Sequence, residues 1–526
     1  MTRRPLAAAL VAAAAWAPLG ECAAKPPEAT SLFPAGAARG DTLTATLSGT
    51  FERWPVKCWT SGDGLKVEPG SEKGQLSITV DPDAAPGLRW IRVHDEEGAS
   101  GLRPFLIGTL PEAVEAEPND DPLAPQAIER PEVTVNGALS KRGDVDGFAV
   151  ELKTGQVLTA DVEANRRLGS PMDAVLQIVS PDGFVLAQND DAMGRDPRIV
   201  FEAPVDGRYL VRLFAFPAMP DSSIQFSGAA TYIYRLTLTT GGFLTHAFPL
   251  AVSREEPAPI YAEGPNIPPR EKALAIPEGD DEDRVRLADP SLAGEAEIRR
   301  TPGPALVEVE PNDPDRPQEI PDFAAVSGRI EDSTDRDAYR IAMKKGEARR
   351  FRVESRTFGF PLDAVLAVLG PNGEAAAEAD DVGPTRDPMV TFSAPEDGDY
   401  RVVVRDLNHR GGPDYAYLLS VSRPEPRTRL SLASDRFELA VDGALKIEVK
   451  VERRENDPRE IVVRAEDLPE GVESTEVVSR PGDDSAKSVS IELSARPGAQ
   501  SGPFRIVARE GETRLDILKD ASLTMR

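Results

Sequence analysis

Hydrophobic and polar residues alternate with a period of two along much of the chain, and helix-period patterns are nearly absent. Tyr234, Leu236 and Leu238 alternate with Arg235, Thr237 and Thr239, and Tyr339, Ile341 and Met343 with Arg340, Ala342 and Lys344. Leu445, Ile447, Val449 and Val451 likewise alternate with Lys446, Glu448, Lys450 and Glu452. Successive side chains of a strand point to opposite faces, so this pattern predicts strands with one face buried and one wet. The 42 glycines and 48 prolines cut the runs short, as expected of sandwiches in series with turns every ~8–12 residues. The fold class is all-β, built of serial β-sandwich modules.

Expected strands at 43–47, 76–80 and 88–93 give one immunoglobulin-like sandwich over 28–110. Those at 437–441, 445–451, 489–493 and 504–508 give a C-terminal sandwich over 425–526, after a Pro-containing linker at 423–427. Between them the text repeats. Glu115-Ala116-Glu117-Pro118-Asn119-Asp120 returns as Glu308-Val309-Glu310-Pro311-Asn312-Asp313, and Asp146, Gly155, Asp173 and Tyr209 return as Asp337, Gly346, Asp363 and Tyr400. Two homologous modules follow, at 111–240 and 307–424, each of ordinary domain size. The segment 241–306 is a short or incomplete sandwich, and a fainter echo links it to the first: Phe33, Pro34, Arg39 and Gly49 match Phe248, Pro249, Arg254 and Gly264. Its charged, Pro-flanked stretch 278–284 reads as a mobile loop.

The repeated hexapeptide is the strongest chemical lead. It places three carboxylates and a carboxamide in six residues, the clustered hard oxygens that Ca²⁺ takes in groups of about six to eight. The alternative is an acidic loop that only forms a turn. A second acidic set, Asp173 with Asp190 and Asp191, repeats as Asp363 with Asp380 and Asp381; beside Gly and Pro it reads as turn chemistry.

Charge narrows the partners. With 88 Asp and Glu against 61 Lys and Arg the chain carries −27, so nucleic acid and anionic membrane surfaces, which need a basic footprint, are not expected. Arg3 and Arg4, an apolar run and small residues ending at Ala24 read as a secretory signal at 1–24. Lipidation at Cys22 is the competing reading, opposed by Glu21 in the position that wants a small residue. No later run reaches the ~20 apolar residues of a membrane span, so the expected location is secreted, periplasmic or cell surface. Cleavage would leave Cys58 as the sole cysteine, excluding an intrachain disulfide, and Cys58 reads as a small buried hydrophobe.

Catalytic parts are missing. His94, His246 and His409 lie in separate segments, and His94-Asp95-Glu96-Glu97 is not a two-histidine zinc motif. There is no Gly-x-Ser-x-Gly elbow, phosphate-binding glycine loop or Cys-x-x-Cys pair. A glycosidase needs only two spaced carboxylates, which an acidic chain offers in many places, but the large cleft-bearing domain that would hold them is absent. The expectation is no enzymatic activity.

The ordered set Glu-x-Glu-Pro-Asn-Asp, Asp-x-Asp-x-aromatic, Leu-Asp-Ala-Val-Leu (Met-Asp-Ala-Val-Leu in the first copy) and Asp-Gly-x-Tyr resembles the bacterial pre-peptidase C-terminal domain, related to the collagen-binding domain of clostridial collagenases. The resemblance covers roughly 112–240 and 307–424. It implies two jelly-roll-like sandwiches, each with its leading segment fixed by Ca²⁺. Carried onto this sequence, one ion would be held by Glu115, Glu117, Asn119, Asp120, Asp144 and Asp146, and the other by Glu308, Glu310, Asn312, Asp313, Asp335 and Asp337. Such modules accompany secreted peptidases without being proteolytic. Two functions remain open: binding of an extracellular polysaccharide or protein polymer, for which Phe214, Phe216 and Tyr232 are candidate platform residues, or a structural spacer in an envelope protein. A core role is the commoner one for each of these aromatics.

Overall fold

The computed structural model describes residues 25–219, 225–277, 283–383, 385–424, 427–454, 457–511 and 513–525. The expected signal, with Cys22, lies outside these residues, as do 278–282 of the charged stretch. Strands dominate; the helical elements among the described residues are Asn165–Leu168, Arg356–Phe358 and Asp484–Ala486.

The N-terminal sandwich packs the sheet Glu28–Phe33, Thr42–Thr50, Gln75–Val80, Leu65–Pro69 against Gly36–Ala38, Arg103–Gly108, Gly87–Asp95, Lys57–Thr60. The alternation seen in the sequence sets its core: Leu76, Ile78 and Val80 point inward from one strand and meet Ile91 and Phe105. Fully burying such a side chain contributes about 1.5–3 kcal/mol. The C-terminal sandwich, Arg427–Ser431 to Thr513–Met525, is built the same way around Ile447, Val449, Ile491 and Phe504.

The two acidic modules share one topology. In the first, one five-stranded sheet runs Glu112–Val114, Glu132–Ala138, Ile233–Thr239, Val157–Glu163, Arg198–Glu202. The other runs Gln126–Ile128, Asp146–Leu152, Gly207–Pro217, Met172–Val179, Val185–Asn189. The second module repeats this order strand for strand, from Ala305–Val307 to Ala416–Ser422. The acidic hexapeptide therefore joins two parallel-paired strands that belong to opposite sheets. The Asp-Gly-x-Tyr motif has a structural role in both: Tyr209 donates to the Val205 carbonyl (2.7 Å) and Tyr400 to that of Glu396 (2.9 Å), while Asp206 and Asp397 accept from Thr154 N (2.8 Å) and Lys345 N (2.7 Å).

Residues Phe243–Thr301 form three small sheets around Leu244, Val252, Ile260 and Ile298. The faint sequence echo becomes a repeated junction. Ala35 and Leu106 of the N-terminal sandwich pack on Leu168 and Ile233 of the first module, and Leu250 and Ala251 pack on Phe358 and Ala416 of the second. The repeating unit is thus a pair, a sandwich followed by an acidic module. Arg92 of the first sandwich is ion-paired with Asp435 of the last.

Candidate metal centres

Each centre forms where the hexapeptide passes the start of the strand carrying Asp146 or Asp337. In the first module carboxylate oxygens of Glu117, Asp144 and Asp146 lie within 4.8 Å of one another, and in the second those of Glu308, Glu310 and Asp337 do so. The hexapeptide is bent locally: Glu117 Oε2 accepts from Asn119 N (3.0 Å) and Glu310 Oε2 from Asn312 N (3.1 Å). This brings both asparagine side chains inside, where they are buried.

A glycine and a tyrosine pack beside each leading glutamate. Glu115 accepts from Ala138 N (2.7 Å) and Glu308 from Arg329 N (2.6 Å). Tyr234 donates to Asp146 Oδ2 (2.5 Å) and lies 2.9 Å from Glu115 Oε2; Tyr417 donates to Asp337 Oδ2 (2.5 Å). A Cβ at Gly137 would overlap Tyr234 and Glu115, and one at Gly328 would overlap Tyr417 and Glu308. Glycine is needed there for room.

Not every candidate ligand enters the cluster. Asp120 faces Lys141 (3.0 Å) and Val145 N (3.2 Å), and Asp313 faces Arg316 (3.1 Å). Asp335 accepts from Glu331 N (2.6 Å) and lies close enough to push the acidities of Glu308 and Asp337.

The clusters leave oxygens without partners. Asp146 Oδ1, Glu308 Oε2 and both polar atoms of the Asn119 carboxamide are buried with no hydrogen bond. Asp144 Oδ1 has only the ion-pair contact of Lys141 at 3.3 Å. Asn312 donates to Asp337 Oδ1 (2.9 Å) and Glu310 Oε1 (3.3 Å) if its Nδ2 faces the cluster; with its oxygen there, the contact is repulsive unless a cation lies between them. Burial, and then the neighbouring carboxylate, raises Asp146 to about 9 and Asp337 to about 9. Burial also raises Glu308 to about 8, against a backbone hydrogen bond from Arg329 that lowers it. Such groups either hold protons or share a cation. The donors are all oxygen, without His or Cys, which suits a hard ion such as Ca²⁺ over zinc.

The remaining candidates are dispersed. His246 stacks on Phe360 (4.0 Å between centroids) and is lowered to about 4 by burial; His94 is half-buried and His409 exposed in other modules. Cys58 is free and raised to about 11 by burial and then by Glu68, which opposes thiolate chemistry. Asp190 and Asp191 do stand beside Asp173, raising its pKa after the larger effect of burial, whereas Asp363 is paired with Arg356 at 3.1 Å. Phe214 and Phe216 meet Phe226 on the outer sheet face, while Tyr232 packs against the module core.

Sequence reading missed Tyr234, Tyr417, Gly137, Gly328 and Lys141 as parts of the centres. It also passed over Asp196 and Asp387, from the repeated Arg-Asp-Pro, which cap the short turns at Asn165 and Arg356 through backbone N–H groups.

Compared with known protein families, the chain matches none. Over 98 residues it is 36% identical to a probable subtilase-type serine protease of Deinococcus radiodurans, a match spanning 18% of this chain and 14% of that relative. Among solved structures, the pre-peptidase C-terminal domain of a collagenase from Bacillus anthracis is matched over its whole length and 22% of this chain, with 16% identity and a TM-score of 0.18. A mixed-linkage glucan utilization locus protein of Bacteroides ovatus, solved with a heptasaccharide, is matched over 73% of its length and 74% of this chain, with 8% identity and a TM-score of 0.14. No helix among the described residues is long and apolar enough to cross a membrane.

Proposed function

We propose that the protein is a non-catalytic, secreted or surface-associated string of sandwiches that binds an extracellular polymer, with each acidic module fastened by one Ca²⁺. The observation that carries the metal part is the pair of buried clusters with orphaned oxygens, Asp146 Oδ1 and Asn119 in one and Glu308 Oε2 in the other. Glu117, Asp144, Asp146 and the Asn119 carboxamide would hold the first ion, with Glu115 alongside; Glu308, Glu310, Asp337 and Asn312 would hold the second. When bound, the ion supplies positive charge that compensates the converging carboxylates and ties the crossing between sheets. The scattered histidines, and a Cys58 thiol that burial and Glu68 keep protonated, favour a binding role over catalysis.

Two experiments test this reading. Calorimetric titration of chelator-treated protein should show two Ca²⁺ sites, one removed by Asp144→Asn with Asp146→Asn and the other by Glu310→Gln with Asp337→Asn. Pull-down against polysaccharides, protein fibres and isolated cell wall should show retention on at least one polymer. Absence of retention on all of them would leave the spacer role in its place.

A further inference from the structure

Where the two repeating pairs meet, they border an open cleft of about 820 Å³ lined by both sandwiches and both acidic modules. Its charge is opposite to that of the chain. Seven arginines and four carboxylates line it, in a protein carrying −27. All four carboxylates are already engaged: Asp161 with Arg198 (2.6 Å), Glu163 with Arg167 (2.6 Å), Glu295 with Arg167 (3.2 Å), and Glu297 with Arg299. Arg166, Arg195 and Arg286 are exposed into this space and form no ion pair among the described residues; Asp161, Glu163 and Asp196 act on Arg166, and Asp173 on Arg195, only at longer range.

From this surplus we infer that the cleft binds an anionic saccharide, whose carboxylate or sulfate groups are taken by Arg166, Arg195 and Arg286. The guanidinium fork matches both groups with two parallel hydrogen bonds. Trp90, half-buried in the wall, offers a flat apolar face with a polar edge, which suits a sugar ring better than an acidic peptide. The volume falls in the usual range for small-molecule clefts. The inference rests on the polymer-binding reading above and narrows it to a ligand class.

The test is calorimetry on the full mature chain with Ca²⁺ present, using a galacturonate hexasaccharide, a sulfated hexasaccharide, a neutral glucan oligosaccharide and a polyglutamate peptide. One acidic saccharide should bind at one per chain, and the source of its charge is given by which of the two does. Arg166→Gln with Arg286→Gln should weaken binding at least tenfold with little change in the unfolding temperature, since neither guanidinium is ion-paired among the described residues and no new negative charge is set opposite Glu297. Trp90→Phe should weaken it less. Failure of both acidic saccharides to bind, equal binding by the double variant, or equal binding of polyglutamate overturns the inference. If the protein is still retained on a neutral or protein polymer, the broader reading survives; if no polymer retains it, both fall.

Discussion

In the first acidic module the ammonium of Lys141 sits between Asp120 (3.0 Å) and Asp144 (3.3 Å). The matching position of the second module is Asp332, turned to Thr334, and the position before it changes from Ser140 to Glu331, whose charge bears on Glu310. The two modules thus share one frame of glutamate, aspartate, tyrosine and glycine but differ in net charge around it. The first carries a tethered cation of its own. In the second, Arg316 pairs with Asp313 outside the cluster while Glu331 and Asp332 add negative charge where Lys141 stood, so its need for a diffusible cation is greater and its Ca²⁺ affinity should be higher.

The largest effect expected is removal of the ion. At about 100 times its dissociation constant, Ca²⁺ stabilises a site by about 2.7 kcal/mol if the unfolded chain does not bind it. Unfolding followed with and without chelator should show this in both modules, with the second saturating at lower Ca²⁺. Unfolding transitions that ignore the chelator would remove the metal from the account.

Next in size is the shared frame. Gly137→Ala and Gly328→Ala should each destabilise by about 1–3 kcal/mol, the scale of overpacking a filled site, because the new methyl displaces a tyrosine and a glutamate. The effects should be similar, since the new methyl meets the same tyrosine and glutamate pair in both modules. A neutral Gly137→Ala would show that Tyr234 and Glu115 can move apart at little cost.

The pH dependence follows in sign from the carboxylates. Asp146 and Asp337 are raised from 3.8 to about 9 and Glu308 from 4.5 to about 8. Without metal the folded state therefore holds protons that the unfolded chain has lost. This contribution is complete below the unfolded values and disappears as pH rises through the folded ones. Ca²⁺ needs the deprotonated groups, so its stabilisation should grow from pH 5 to pH 9 and its binding should release protons. Calorimetry in buffers of different ionisation enthalpy measures the release; Ca²⁺ stabilisation that is flat over this range would contradict the assignment of these groups.

The smallest effect isolates the difference between modules. Lys141→Gln should tighten the first site about two- to fivefold, the scale of an exposed charge contact, and Asp332→Lys should loosen the second by a similar factor. Equal affinities that neither change moves would mean that Lys141 is a bystander.

Much of the frame was legible in the sequence because it repeats. The acidic hexapeptides, the Asp-x-Asp pairs and the alternation of strands such as Ala444–Arg454 are local patterns with local causes. Tyr234 and Tyr417 were not legible as site residues: a shorter loop in the second copy moves them off the common offset, and in a strand each looks like an ordinary core aromatic. Gly137 and Gly328 are in no special backbone conformation, so only the packed tyrosine explains them. The arginine-lined cleft was less visible still, since its residues come from four modules and no stretch of the chain is basic.

The most direct test is calorimetric titration of Ca²⁺ into chelator-treated wild-type protein. Two sites of unequal affinity should be resolved, with the tighter one lost in Glu310→Gln with Asp337→Asn and the weaker one strengthened in Lys141→Gln. A titration without saturable heat, or a tighter site that survives in the Asp337→Asn protein, would contradict the claim that these twin clusters are cation sites graded by the charge beside them.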